Sequence, residues 1–314
     1  ENLMKLSICI VSWNVAKLLE KCIHSIYNNP PNCDFEVIVV DNNSSDSSKE
    51  MLKKLVPRLP VKGDGLGVRV LENKTNVGFS AGNNQAIKAS TGEYILVLNP
   101  DTEILPGSID VLTGFLDKNP DAAIVAPKLL NPDGSLQRSC MGFPTLGAMA
   151  MRQLSIEQLW SGNPYTKKYL ISDFNYNKIA QVDQPMGACL LVRRKVLNEV
   201  GLFDEHSFMF FDEVDLCYRI KNAPVGARRD APSEKTIYFT PDASIIHHGG
   251  SSIKKWGAFN LSRHWTRSRN YYFRKHFGIL ALWGLYLIDL LKAALLLIIL
   301  AAIIAAAKTA IDIH

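Results

Sequence analysis

The stretch "FEVIVVDN", residues 35–42, decides the fold class, because it is a continuous apolar run of strand length that ends in Asp41. Runs of this kind are typical of strands that are buried on both faces of a sheet. The following "NNSSDSS" contains the residue types that favour a turn and a helix N-terminus, and "KEMLKKLV" continues at helical spacing. The sequence therefore predicts a buried strand followed directly by a helix.

The same alternation extends in both directions from this stretch. Strands are predicted at 6–14, 35–42, 68–73, 94–101 and 122–130, and helices at 15–29, 44–56, 78–90 and 107–119. Strands that alternate with helices predict an α/β protein with a mostly parallel sheet and helices on both faces. Ligands of such sheets bind outside the carboxyl ends of the strands.

The second half of the chain is less regular. We expect a strand and a helix within 187–203, a short helix at 213–223, and a strand with an exit loop at 236–250. Residues 132–182 have a weak, loop-like pattern, and we interpret them as a wall or lid.

The C-terminal region indicates a membrane. Residues 278–308 are apolar except for Asp289, Lys292 and the final Lys308, and residues 243–288 contain basic side chains but no Asp or Glu. About 20 apolar residues suffice for a transmembrane helix, and a basic segment before them is typical of the cytoplasmic side. A full span, interfacial helices and an oligomerisation helix are the open alternatives. The six scattered cysteines favour free thiols in a reducing compartment.

Polar side chains follow several of the predicted strands. Asp41 and Asp101 close two of them, and Asn76 and Gly78 belong to a glycine- and asparagine-rich turn that leads into a helix. His247 and its neighbour His248 point in opposite directions along an extended chain, so only one faces a given site. Turn formation and helix capping are the structural alternatives for these residues, and they account less well than ligand binding for the carboxylate of Asp41 at the end of a strand.

The stretch "FFDEVDLCYR", residues 210–219, gathers three carboxylates in four positions. Asp212 is suited to capping a helix, and Asp215 is spaced to pair with Arg219 on one helix face. Glu213 has no such structural role. A carboxylate beside two phenylalanines is a candidate general base with a raised pKa.

These motifs together resemble glycosyltransferase family 2, the inverting enzymes of the GT-A fold. The matching segments include "VIVVDNNSSDSS", "NVGFSAGNNQAIKASTGEYILVLNPDTEI", "FMFFDEVDLCYRI" and "IIHHGGSS", and the resemblance covers residues 5–277. The sequence is most similar to the rhamnosyltransferase-like branch that builds bacterial surface polysaccharides. In this order and spacing, the segments are far more specific than any one of them alone.

The resemblance implies a role for each matching position. Val11, Asn14 and Asp41 are expected to hold the nucleotide base. The full set of expected substrate contacts is Val11, Asn14, Asp41, Asn76, Gly78, Asn83, Asp101 and Arg219. Asp101 matches the last residue of the D-x-D motif, whose first position is Asn99 here, and His247 begins the H-x-G-G-x-S pattern that ends at Ser252. Asp101 and His247 are thus the expected ligands of Mg²⁺ or Mn²⁺, with Glu213 as base beside Asp212.

The implied reaction is the transfer of one sugar, with inversion, from a nucleotide-sugar to a hydroxyl of a lipid-linked or polysaccharide acceptor. L-rhamnose from dTDP-rhamnose is the expected donor, and a polyprenyl diphosphate at the cytoplasmic face of the plasma membrane is the expected acceptor carrier. The processive Q-x-x-R-W motif is absent from the sequence. A UDP-hexose donor, a non-catalytic membrane-tethered binding module and a nucleic-acid binder are the alternatives, and we expect no nucleic-acid partner.

The expected domain organisation has three parts. A GT-A glycosyltransferase domain is expected at residues 1–252, a basic juxtamembrane segment at 253–277, and a membrane-associated helical tail at 278–314.

Overall fold

The computed structural model describes residues 4–59, 68–223, 236–250 and 257–312, the last seven of these by their backbone alone. The chain divides into two compact units. The first consists of Glu1–Met141 with Phe174–Arg269, and the second of Gly142–Asp173 with Asn270–His314.

The described residues form twelve strands and ten α-helices. The strands are β1 (Leu6–Ser12), β2 (Phe35–Asp41), β3 (Val68–Glu72), β4 (Tyr94–Leu98), β5 (Thr102–Ile104), β6 (Ala122–Leu130), β7 (Leu136–Gln137), β8 (Cys140–Met141), β9 (Ala180–Gln181), β10 (Gln184–Pro185), β11 (Cys189–Arg193) and β12 (Thr236–His247). The helices are α1 (Ala16–Asn28), α2 (Ser48–Leu55), α3 (Gly78–Ala89), α4 (Ser108–Lys118), α5 (Leu146–Gln153), α6 (Ile156–Leu159), α7 (Pro164–Leu170), α8 (Arg194–Val200), α9 (Asp212–Asn222) and α10 (Ala258–Asp312).

The first unit contains a mixed sheet with the strand order β3-β2-β1-β4-β11-β6-β12-β5. Strands β3, β2, β1 and β4 are parallel to one another, and β12 is parallel to β6. Strand β11 is antiparallel to both of its neighbours. The carboxyl ends of β1, β2 and β4 therefore lie along one edge of the sheet, where a ligand site is expected.

Helices cover both faces of this sheet. On one face, side chains of α1, α2 and α4 share a core cluster with Leu6, Ile8 and Ile10 of β1. On the other face α3 lies against Val11, whose methyl groups would be 2.8 Å and 3.1 Å from a Cβ on Gly82. Every residue of β1 and β2 is buried as a result. This arrangement confirms the predicted α/β fold class.

The second unit corrects one prediction from the sequence. Residues 142–173, which we interpreted as loop-like, contain the short helices α5, α6 and α7. Thr145 caps α5 by accepting a hydrogen bond from the backbone N–H of Ala148 at 3.2 Å, and Asn163 caps α7 before Pro164. Capping residues define these helices, and each helix is too short to produce a clear apolar period.

Helix α10 is the one described helix that is long and apolar enough to span a bilayer, judged by its length and composition. Its most apolar stretch is 6% buried within the chain. The helical path breaks at Gly278, whose φ of 80° lies in the left-handed region. The predicted apolar tail thus exists as a helix, and the boundaries at 252 and 277 stay predictions.

Candidate active site

A cleft of about 560 Å³ opens at the carboxyl edge of the sheet in the first unit. This volume is in the range of small-molecule binding sites. The polar lining comes from the ends of β1, β2, β4 and β12, from β7, and from the starts of α3 and α9. Its members are Ser12, Asn42, Asn76, Asn99, Asp101, Gln137, Asp212, Glu213 and His247.

Asp101 and His247 meet inside this cleft. The Nε2 atom of His247 lies 3.4 Å from Oδ1 of Asp101, and each side chain is 8% exposed. On the other side of the imidazole, Nδ1 lies 2.7 Å from Oε1 of Gln137. The Gln137 amide nitrogen in turn donates to Asn131 at 3.0 Å, which fixes the oxygen as the acceptor for His247.

This orientation leaves Nε2 of His247 as the basic nitrogen on the side of Asp101. A histidine whose second nitrogen is held by a hydrogen bond is typical of metal ligands. One carboxylate and one imidazole fit a divalent cation that takes its remaining ligands from a diphosphate and water. No group of three or more His, Cys, Asp or Glu side chains suited to a metal exists among the described residues. Ser252, the last residue of the histidine motif, lies outside them.

The acidic pair Asp212 and Glu213 lines another part of the same cleft. Asp212 is 4% exposed, and its carboxyl group is hydrogen-bonded to that of Glu213. Burial, and secondly the charge and hydrogen bond of Glu213, hold the pKa of Asp212 well above its ordinary value. The raised pKa within the acidic pair is thus found at Asp212, the residue that we expected to cap the helix or to assist the base.

The backbone before this pair is strained. Phe210 and Phe211 have φ values of 67° and 60°, which bulky side chains rarely adopt. Such conformations persist only where the surrounding structure enforces them, and they are concentrated at functional sites.

Asp41 is fully buried at the end of β2. Its Oδ2 atom accepts a hydrogen bond from the backbone N–H of Ser44 at 3.0 Å, whereas Oδ1 has no partner among the described residues. Asp41 lines a second cavity, of about 280 Å³, and Asn42 lines the main cleft. Successive residues of an extended chain point to opposite sides, which explains this division.

Asn14 holds the turn that follows β2. Its Oδ1 atom accepts hydrogen bonds from the backbone N–H groups of Ser45 at 2.7 Å and Asp46 at 3.2 Å. Val11 and the neighbouring Trp13 line the cleft.

The start of α3 contributes Asn76 and Gly78 to the cleft. Asn76 accepts a hydrogen bond from the backbone N–H of Gly78 at 3.0 Å. Gly78 has a φ of 89°, and a Cβ at this position would overlap the backbone and ring of Phe208. Only glycine fits there. Asn83 lies one turn farther along, 1% exposed, and donates to the carbonyl of Phe79 at 3.0 Å.

Arg219 does not line the cleft. Its guanidinium donates to Asp215 at 2.7 Å and to the carbonyl groups of Val200 at 2.6 Å and Leu202 at 2.6 Å. The pairing of Asp215 with Arg219 that the spacing predicted is present. These bonds occupy the guanidinium in joining α9 to the end of α8, so the structure gives Arg219 a supporting position instead of a contact with substrate.

Several cleft residues were not identified from the sequence. Gln137 gave no signal, because its role depends on a hairpin that brings it to His247. Most of the apolar members lie in loops without periodicity, whereas Phe79 lies in the first turn of α3 and Met141 in the two-residue strand β8. The apolar members are Trp13, Phe79, Met141, Met186, Phe208 and Met209. The aromatic run "FMFF" beside the acidic residues was the signal available for Phe208 and Met209.

Comparisons with known proteins agree with this geometry. The model of Glycosyl transferase family 2 matches residues 7–201. The chain is 29% identical to the N-acetylglucosaminyl-diphospho-decaprenol L-rhamnosyltransferase of Mycobacterium tuberculosis over 248 residues, which are 77% of this chain and 76% of that protein. It is 26% identical to the low-salt glycan biosynthesis hexosyltransferase Agl10 of Haloferax volcanii over 220 residues, 69% of this chain and 61% of that one.

Two solved structures share the fold. The mannosyltransferase PcManGT from Pyrobaculum calidifontis, in complex with GDP-Man and Mn²⁺, matches 97% of this chain and 75% of its own with a TM-score of 0.55 and 16% identity. GalNAc-T7 with UDP, GalNAc and Mn²⁺ matches 87% of this chain and 50% of its own, with a TM-score of 0.55 and 19% identity. The chain belongs to glycosyltransferase family 2, which confirms the family and the GT-A fold predicted from the sequence.

Proposed function

We propose that this chain is an inverting, non-processive rhamnosyltransferase. It moves L-rhamnose from dTDP-rhamnose to a hydroxyl group of a glycan carried on a polyprenyl diphosphate. The observation that carries the proposal is that the Asp212–Glu213 pair and the Asp101–His247 pair line one cleft. The similarity to the mycobacterial rhamnosyltransferase supports the donor and the lipid-linked acceptor.

The donor nucleotide lies at the carboxyl ends of β1 and β2. The backbone of Val11 to Asn14 and the carboxylate of Asp41 hold the base, and the unpartnered Oδ1 atom of Asp41 supports this assignment. A buried carboxylate oxygen without a donor is costly, so a ligand N–H that reaches it stabilises the complex. Asn76, Gly78 and Asn83 position the remainder of the nucleotide-sugar.

Asp101 and His247 are the residues that would hold Mg²⁺ or Mn²⁺. The Mn²⁺ in the two solved structures of this fold supports a divalent metal here. A bound divalent cation neutralises the negative charge that develops on the departing diphosphate. Gln137 fixes the imidazole so that Nε2 is available at the site.

Glu213 is the general base. The hydrogen bond between the carboxyl groups of Asp212 and Glu213 keeps Glu213 oriented. Glu213 accepts the proton of the acceptor hydroxyl as the oxygen attacks the anomeric carbon. The bond from that carbon to the diphosphate oxygen breaks, and its electron pair leaves with the nucleoside diphosphate. A single displacement of this kind inverts the configuration.

The acceptor reaches the cleft from a membrane. The apolar part of α10 after Gly278 enters the bilayer, and the basic side chains before it, Arg263, Arg267, Arg274 and Lys275, attract anionic lipid on the cytoplasmic side. A lipid-linked acceptor is then delivered at the same surface.

The test compares Glu213→Gln with wild type in dTDP-rhamnose turnover and in dTDP binding by calorimetry. We expect transfer to fall by about 10²- to 10⁴-fold, with dTDP affinity within about twofold of wild type because the variant retains the shape of the cleft. Glu199→Gln, at an exposed position of α8, is the matched control. Turnover of UDP-hexoses but not of dTDP-rhamnose would establish the alternative donor. Unchanged transfer in Glu213→Gln would refute the role of the base.

A further inference from the structure

The first three turns of α10, residues 258–269, pack against residues 207–211, the loop that directly precedes Asp212 and Glu213. The imidazole of His264 stacks on the ring of Phe208, with centroids 4.6 Å apart and an interplanar angle of 25°. The Ser268 hydroxyl donates a hydrogen bond of 2.8 Å to the carbonyl of Met209. Trp265 meets Phe211 edge to face at 6.0 Å. Three separate contacts thus connect the helix to this loop.

The same loop is held on its other side by the start of α3. The backbone N–H of Phe79 donates to the carbonyl of Phe208 at 2.7 Å. The Phe208 ring occupies the space that a Cβ on Gly78 would need. Phe208 therefore lies between the turn that positions the donor and the helix that leads to the membrane.

This bracing matters because the loop does not hold its conformation by itself. Phe210 and Phe211 both have positive φ values, which are unfavourable for bulky side chains, so contacts from outside the loop must compensate for this strain. The conformation also decides where α9 begins, since the backbone N–H of Asp215 donates to the Phe211 carbonyl at 2.9 Å. A relaxed loop would move Asp212 and Glu213 relative to the metal pair.

We infer that His264 and Ser268 are positioning residues for transfer. They hold the 207–211 loop in the strained conformation that aims the Glu213 carboxylate into the cleft. The inference rests on the proposed function, and it extends that function by making the membrane-proximal helix a component of the active site. The alignment of Glu213, the proposed general base, then depends on the first turns of α10 keeping their contacts with this loop.

The experiment uses the full chain in detergent micelles, with the variants Ser268→Ala, His264→Ala and His264→Phe. Ser262→Ala, an exposed position on the same helix, is the matched control. Hydrogen exchange is followed at the Phe79 amide and in peptides covering 207–216. Transfer is followed with dTDP-rhamnose, and global stability by thermal melting.

In Ser268→Ala and His264→Ala we expect exchange at these amides to accelerate about fivefold to tenfold, the effect of losing one hydrogen bond or ring contact. Exchange in β1 and β2 stays at the wild-type level, and kcat falls about tenfold with little change in the KM for the donor. His264→Phe keeps the stack and restores kcat, which a purely global loss of stability would not allow.

Two outcomes would overturn the inference. One is exchange at Phe79 and 207–216 that equals wild type in both alanine variants. The other is a loosened loop with unchanged kcat. A wild-type protein that transfers no sugar would instead refute the proposed function, and the exchange data would still decide whether the helix holds the loop.

Discussion

Replacing Asp212 with asparagine should stabilise the protein at neutral and high pH. Asp212 is buried against Glu213, and its pKa is raised by burial and by the neighbouring charge. The folded protein therefore binds this proton more tightly than the unfolded chain does. Stability from Asp212 is complete below the ordinary aspartate pKa of 3.8 and is lost as pH rises towards the raised value.

The size of the effect follows from proton linkage. Each pH unit between the ordinary and the raised pKa of Asp212 removes about 1.4 kcal/mol from the free energy of unfolding. For a chain of this size, that amount corresponds to about 2 °C in Tm. In Asp212→Asn the amide still donates a hydrogen bond to Glu213, but no charge can form at position 212. The variant and wild type should match near pH 4 and separate steadily above it.

The assay is thermal melting of both proteins in one detergent from pH 4 to pH 9. Asp242→Asn, at an exposed position of β12, is the control and should follow wild type at every pH. A constant difference between Asp212→Asn and wild type, or a variant that is less stable at all pH values, would contradict the reasoning. Transfer by Asp212→Asn should decline far less than by Glu213→Gln, because only the hydrogen-bond donor is needed at position 212.

Three further changes test other parts of the site. Arg219→Ala leaves the buried Asp215 carboxylate and three backbone carbonyl groups without their hydrogen-bond donor. The free energy of unfolding in urea should fall by about 3–5 kcal/mol. A fall of less than about 1 kcal/mol would contradict this expectation. Asp41→Asn should weaken dTDP binding about tenfold to hundredfold in calorimetry, whereas unchanged affinity would remove Asp41 from the base site. Gln137→Leu removes the hydrogen bond to the imidazole of His247. Binding of Mn²⁺ in the presence of dTDP, measured by electron paramagnetic resonance, should weaken about 10- to 100-fold. Equal affinity would show that Gln137 does not orient a metal ligand.

The core of the fold could be predicted because local signals and tertiary packing agree there. Residues 35–41 form a strand that is buried along its whole length, as their apolar pattern predicts. The pattern did not anticipate that Glu36 is fully buried within this strand. Its carboxylate binds Arg69 at 2.8 Å and Ser7 at 2.8 Å, partners that come from neighbouring strands. Such partners are brought together by the sheet and cannot be read from one strand.

In the candidate site, too, some features could be predicted from the sequence and others depend on tertiary packing. The strand-end rule placed Asp101 at the carboxyl edge of the sheet, and the family resemblance paired Asp101 with His247. The two side chains do meet there, because β12 ends beside the carboxyl end of β4. The rule did not say that Asp41 would face a second cavity while Asn42 faces the cleft. The direction of a side chain at a strand end depends on where the next turn begins. Asn14, with a φ of 56°, helps to fix that turn from the end of β1.

The position of Glu213, the proposed general base, depends largely on residues that do not line the cleft. Burying the Asp212 carboxyl group beside Glu213 and keeping two phenylalanines at positive φ both oppose folding. The stretch is therefore held from both directions in the chain. Arg219 ties α9 to the end of α8, and Ser268 ties the preceding loop to α10. A sequence that kept "FFDE" but lost Arg219 and Ser268 would retain the acidic residues without their alignment. We therefore expect that transfer requires both the motif and these two supporting residues.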